Sequence, residues 1–345
     1  MKKFFVSLVM LLSLSAASVC AQSSLIATLS HEGEVSLYYG ASALQQAHEA
    51  ATHGDVITLS SGTFTSVKIT KAITLRGAGM FSDVENNVYS TVVGGYFDIS
   101  IPETVAENLT IEGIDFSGTL RVVNKLYDAT FQKCKFTNLE ARDVHNLKIV
   151  HCYGMYKTTI NSTSGFNSTV SVVNSYIASP QQYSGTSSVD FTNCVIQFRL
   201  PANGEGPDDL TAAVLKNSII VKSWQSTTSK EYFSNNVTVQ RCVAVNYDYN
   251  VWEKTAGGFA YPAASFQEVF KTAIGDMWTG SETYELTDEA KNKYLGLDGT
   301  EIGMHGGNFP FDSKTSAPQI TKFNVATKST VDGKLSVDIE VKGVE

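Results

Sequence analysis

Cations crowd into one stretch of an otherwise acidic chain. Between Thr119 and Ile160 stand Arg121, Lys125, Lys133, Lys135, Arg142, Lys148 and Lys157 against Asp128, Glu140 and Asp143, a local balance of +4 in a chain of −8. Guanidinium and ammonium groups gathered in one groove attract carboxylates, so the ligand this stretch suggests is a polyanionic glycan. The simpler reading stands beside it: lysine and arginine solvate an exposed sheet and discourage edge pairing. His145, His151, Tyr153 and Tyr156 lie in the same stretch, and His with Tyr can serve as base and acid in sugar chemistry. Ordinary surface placement is the expectation for His151. Tyr247, Tyr249, Trp252, Phe259 and Tyr261 form an aromatic run, suited to stacking on sugar rings or, more simply, to packing.

Other chemistry is poorly supplied. Residues 276 to 312 hold eight acids, but no loop spacing matches a calcium cradle. No His/Cys pattern fits zinc, no Gly-rich loop precedes a helix suited to phosphate, and no Ser-His-Asp grouping is legible from order. No metal and no cofactor are expected.

The elements that would position these side chains form a repeat. Seven segments align: Ile111–Phe116, Phe131–Phe136, Ile149–Gly154, Val172–Ile177, Phe191–Ile196, Leu215–Ile220 and Val239–Ala244. Each reads apolar, variable, turn residue, small or apolar, variable, then usually apolar. Their fourth positions are separated by 20, 18, 23, 19, 24 and 24 residues, the near-regular spacing of a solenoid. The third position holds Gly113, Lys133, His151, Asn174, Asn193, Asn217 and Arg241. Gly and Asn enter left-handed backbone at least cost, which predicts a one-residue bend there. Ile114, Cys134, Cys152, Ser175, Cys194, Ser218 and Cys242 then form one inner column, with coils about 4.8 Å apart. Cys194 and Cys242 are parted by the Ser218 rung, too far to bridge. Cys134 and Cys152 stack in parallel, an orientation that disfavours a disulfide. Four free buried thiols acting as small hydrophobes are expected. Counted from this column, Arg121, Arg142, Lys157 and Arg199 fall five to eight residues later, near the turn and first strand of the following coil.

The ends also carry signals. Residues 42–52 read as a short helix closed by Gly54, able to plug the open core. Asp55-Val-Ile-Thr-Leu59, Gly62-Thr-Phe64 and Ala72-Ile-Thr-Leu-Arg-Gly77 follow. Here the chain resembles the pectin-lyase-like β-helix family, whose first coil commonly reads helix, Gly-Asp-x-Ile-x-Leu, turn, Gly-x-Phe or Gly-x-Tyr, then Ile-Thr-Leu-x-Gly. Tyr284–Gly296 with Asp298-Gly-Thr-Glu-Ile-Gly-Met-His-Gly-Gly307 resembles the closing segment of secreted bacterial β-helix proteins. The resemblance covers residues 42 to 312 and implies an all-β fold: a right-handed, single-stranded parallel β-helix with an N-terminal capping helix. A small C-terminal β-hairpin, Ile320–Thr327 and Leu335–Val341 around Asp332-Gly333, is expected to follow.

Fold alone does not give function. Polygalacturonase-like members imply Asn-Thr-Asp, Asp-Asp and Gly-His-Gly motifs with an Arg-x-Lys. Only Asp208-Asp209 occurs, in a Gly- and Pro-containing insertion, and it reads as a loop. Pectate lyases imply Arg-x-Pro-x-x-Arg, which Arg199-Leu-Pro201 half matches before Gly204 breaks it. The expectation is therefore a non-catalytic glycan-binding or surface scaffold, with Arg121, Arg142, Lys157 and Arg199 as glycan contacts. A divergent lyase or hydrolase acting on an acidic polysaccharide is the first alternative. An adhesin or assembly subunit that engages a protein partner through the hairpin is the second.

Lys2 and Lys3, the apolar run Phe4–Leu14 and Val19-Cys-Ala21 read as a secretory signal peptide, ahead of a lipid anchor on Cys20. Its removal leaves 24 basic against 34 acidic side chains, a net charge of −10, which argues against nucleic acid as a partner. No later apolar run is long enough to span a bilayer. The expected organisation is signal peptide 1–21, lead-in 22–41, β-helix 42–263, C-terminal cap 264–312 and hairpin tail 313–345. The mature protein is expected in the periplasm, at the cell surface or outside the cell.

Overall fold

The structure, a computed structural model, describes residues 25–84, 89–105, 108–183, 187–198, 210–222, 236–245, 261–272, 282–315, 319–325, 333–334 and 337–342. The signal peptide, Arg199, the Asp208-Asp209 pair and most of the aromatic run (Tyr247 to Phe259) lie outside these residues.

The seven bend residues all take left-handed backbone, with φ of 69° at Gly113, 52° at Lys133, 53° at His151, 45° at Asn174, 52° at Asn193, 49° at Asn217 and 52° at Arg241. Each bend passes the chain from a strand of an 11-stranded sheet into a strand of a 12-stranded sheet. Both sheets are parallel along the solenoid, so successive coils stack in register. In the first sheet Ile111, Phe131, Ile149, Val172, Phe191, Leu215 and Val239 stand in line, all fully buried. A strand side chain points to alternate faces, so this line and the inner column after the bend fill one continuous core. The chain is a parallel β-solenoid.

The inner column is more than apolar filling. Cys134 N–H donates to Cys152 Sγ at 3.4 Å, Cys152 N–H to Ser175 Oγ at 2.9 Å, Cys194 N–H to Ser218 Oγ at 3.0 Å and Ser218 N–H to Cys242 Sγ at 3.4 Å. Each of these side chains lies within reach of the carbonyl two residues before it, as Ser175 Oγ does for Val173 at 2.8 Å. The four cysteines are free and buried, as their spacing predicts. Burial pushes the Cys194 and Cys242 thiols up to about 12.

Before the first coil, Ile26–His31 and Glu34–Tyr39 form an antiparallel hairpin that extends the first sheet past its first coil strand, Val56–Leu59. The helix Ala43–Ala50, here α1, buries Ala43, Leu44, Ala47 and His48. The expected tail hairpin is present as Gln319–Val325 paired with Val337–Lys342.

The C-terminal part covers the outside of the second sheet. Tyr153, Tyr176, Val195, Ile219 and Val243 point outward, yet Phe270, Tyr284, Leu286, Ile302 and Met304 bury them in a second apolar cluster. Tyr284 stacks on Tyr176 with centroids 4.6 Å apart. Residues 297–315 then run back along the column of bends as a strap. Asn217 Oδ1 accepts from Leu297 N–H at 2.9 Å, and Asn174 Nδ2 donates to the Met304 and Gly306 carbonyls at 2.9 and 2.7 Å. His151 Nε2 meets the Phe309 carbonyl at 3.1 Å, Lys133 Nζ meets Asp312 at 3.0 Å, and Thr315 Oγ1 donates to the Ala78 carbonyl at 3.4 Å. Gly307, at φ 79°, leaves no room for a side chain: a Cβ there would lie 2.0 Å from the Asn193 amide nitrogen. The segment expected to close the far end of the stack thus lies along its flank. His151, expected on the open surface, is half-buried beneath it.

Candidate functional site

Three consecutive strands, Ile114–Val122, Lys135–Arg142 and Tyr153–Asn161, run side by side in parallel. Leu120, Val122, Leu139, Ala141, Thr158 and Ile160 point inward and are buried. The alternate residues face out, so equivalent positions stack into columns: Arg121, Glu140 and Thr159 in one, Arg142 and Asn161 in the next, and Thr119, Asn138 and Lys157 in a third. A register irregularity between Phe136 and Asn138 resets the alternation midway along each strand. The coil turns there, and Gly118 permits the turn because a Cβ would meet the Gly95 carbonyl oxygen at 2.1 Å.

Between these columns opens a groove of about 580 Å³, lined by Arg121, Val122, Val123, Asn138, Leu139, Glu140, Ala141, Arg142, Lys157, Thr159 and Asn161. The structure therefore brings together three of the four sequence-predicted contacts, Arg121, Arg142 and Lys157. The fourth, Arg199, lies outside the described residues.

The three cations are not equivalent. Arg121 is locked in a fork to Asp98, Nε to Oδ1 and Nη2 to Oδ2, both 2.9 Å. It also lies over the Tyr96 ring, 5.0 Å from the centroid. The Asp98 hydrogen bonds hold its pKa above the ordinary arginine value, with added support from the Asp98 and Glu140 charges. Arg142 is exposed, and no side-chain partner engages it among the described residues. Lys157 is half-buried on the neighbouring coil. Arg142 is thus the lining cation that no other described side chain holds, and Glu140 is the only lining acid among the described residues.

The His and Tyr candidates do not join them. His145 sits on a short outer ladder, 6.0 Å from the Tyr127 ring. Tyr153 is buried against Phe81, Tyr176 and Phe311, and burial drives its pKa above the ordinary tyrosine value. Burial also lowers the His151 pKa, only partly opposed by the Phe309 carbonyl. Tyr156 is exposed beside Lys157 but does not line the groove. Conversely, sequence reasoning passed over Asn138, Glu140, Thr159 and Asn161. Their signal was available in principle: each is an outward position on a strand that continues past the inner column.

This arrangement can hold a polar, anionic chain. Amides and a hydroxyl match sugar hydroxyls, the Arg142 guanidinium matches a carboxylate, and the exposed rings of Tyr96 and Tyr156 offer apolar faces at the margin. Hydrolysis by paired carboxylates would need a second acid facing Glu140 across the substrate. No group of His, Cys, Asp and Glu side chains suited to a metal ion gathers among the described residues, and no described helix is long and apolar enough to cross a membrane. Comparison with protein-family models, with curated proteins and with solved structures gives no match.

Proposed function

We propose that this chain is a secreted, non-catalytic glycan-binding β-solenoid of the pectin-lyase-like kind, which holds an acidic polysaccharide along the groove of Arg121, Arg142 and Lys157. The observation that supports this most is the Arg142 guanidinium, which has no side-chain partner among the described residues and is set among amide and hydroxyl side chains, with Glu140 as the one lining acid among those residues. A guanidinium reads a carboxylate with two parallel hydrogen bonds, which gives geometric selectivity as well as charge attraction. Arg121 serves differently. Its fork to Asp98 makes it a fixed wall that orients Tyr96 and offsets Glu140. Secretion rests on the leader, and the family rests on the first-coil and closing motifs.

The test is titration of the purified protein with oligouronates and with neutral oligosaccharides of equal length. Arg142→Ala should weaken uronate binding about tenfold, the loss of roughly one charge-assisted hydrogen-bonded contact. Binding to neutral sugars should change little. Asp98→Asn should strengthen uronate binding, because it removes an acid and releases Arg121. If Arg142→Ala leaves uronate affinity unchanged, the groove is not the site. Appearance of an unsaturated product, read by ultraviolet absorbance, would replace the non-catalytic reading with a lyase.

A further inference from the structure

The strand Glu34–Tyr39 ends the 11-stranded sheet, and among the described residues nothing pairs with its outer edge. Natural edge strands are blunted by lysine, proline or a bulge. This one has none of them: its pairing with Ile26–His31 is unbroken, and Val35, Leu37 and Tyr39 are 64, 53 and 57% exposed.

The hydrogen-bonding phase of the edge follows from the hairpin. The two-residue turn Glu32-Gly33 has φ of 49° and 87°, so His31 and Glu34 form the closing hydrogen-bonded pair. Hydrogen-bonded and open pairs then alternate. The Gly40 N–H bond to the Leu25 carbonyl at 2.8 Å confirms that phase. Glu34, Ser36 and Tyr38 therefore turn their backbone groups inward, while Val35, Leu37 and Tyr39 present theirs to the free edge. The residues with unused backbone groups are also those with exposed apolar side chains.

We propose that this edge pairs with the same strand of a second copy, antiparallel, about a twofold axis at Leu37. One register satisfies both the hydrogen bonds and the side chains: Leu37 opposite Leu37 and Val35 opposite Tyr39. It makes about six main-chain hydrogen bonds and gathers six apolar side chains on one face. A register shifted by one residue would set apolar against polar positions and misalign the donors. Charge is compatible, because each Glu34 falls opposite Gly40 and lies six residues, about 20 Å, from its counterpart. The two first sheets become one sheet running through both molecules, with the grooves outside the contact.

The register makes the test specific. Paired Leu37 Cα atoms lie about 5.5 Å apart, within disulfide reach, whereas Val35 lies about 14 Å from its own counterpart. In a Cys20→Ser background, mild oxidation should link the Leu37→Cys protein into a dimer and leave the Val35→Cys protein unlinked. Sedimentation should show concentration-dependent dimers for the unaltered protein and monomers for Leu37→Lys, which changes only an exposed side chain and should keep its melting temperature. Equal cross-linking at both positions, or dimers that survive Leu37→Lys, would overturn the proposal. So would a monomer whose introduced thiol at position 37 resists labelling, since the chain's own N-terminal residues would then occupy the edge.

Discussion

Residue by residue, the inner column shows why both Cys and Ser recur there. A small side chain fits the bend, and its sulfur or oxygen accepts the buried N–H of the preceding coil, as Ser175 Oγ does for Cys152. Treating the thiols as small hydrophobes therefore captured their burial and missed their hydrogen bonds. The distinction is measurable. Ser175→Cys should be tolerated, since cysteine already holds four rungs of this column. Ser175→Ala should cost about 1–3 kcal/mol, because it strands a buried N–H; urea denaturation of the two variants would separate these outcomes. The same scale explains the groove. Arg121 and Arg142 share a type and a groove, in adjacent outward columns, and only the Asp98 fork makes one a wall and leaves the other available.

Among the elements, a polar clasp joins the N-terminal hairpin to the turn between α1 and the first coil strand. His31 Nδ1 lies 2.8 Å from Asp55 Oδ1, and the Asp55 carboxylate also accepts the Thr52 N–H at 2.7 Å. The hydrogen bond to Asp55 raises the His31 pKa above 6.5. Burial pushes Asp55 upward, but the Thr52 backbone, His31 and the Thr52 hydroxyl outweigh it and leave the pKa below 3.8. A raised histidine stabilises fully below its unfolded pKa and loses that contribution as pH rises through its folded value. A lowered aspartate contributes above its unfolded pKa and loses that contribution as pH falls through its folded value. The clasp should therefore be strongest between about pH 4 and 6.5, and slacken on the alkaline side. Amide exchange across Ile26–Tyr39 should quicken from pH 6 to 8 beyond its intrinsic pH dependence, and Asp55→Asn should abolish that excess.

At the scale of the whole molecule, stability is divided between short-range stacking and one long-range cover. Coil contacts join residues about twenty apart in sequence, whereas the strap joins Lys133 to Asp312 and Ala78 to Thr315. Deleting 266–345 would uncover Tyr153, Tyr176, Val195, Ile219 and Val243, each worth about 1.5–3 kcal/mol of burial, and should yield aggregating protein. Deleting 316–345 removes only the tail hairpin and should leave the melting temperature of the solenoid within a few degrees of the full chain, as calorimetry would show.

The coil register was legible in the primary structure because its causes are local. A left-handed bend selects Gly or Asn, an inner position selects small or apolar residues, and both recur each turn. Lys133, His151 and Arg241 at the bend were less regular, yet the apolar residues around them kept the frame. Columns of outward residues followed from that frame, which is why Arg121, Arg142 and Lys157 could be placed on one face. Only the tertiary structure decided which of them is spent on Asp98, that Glu140 stands between them, and that His151 lies under the strap. These outcomes depend on approaches between distant coils and on a segment 130 to 180 residues away. No local pattern encodes where such a segment docks, because its path follows from the total surface it covers.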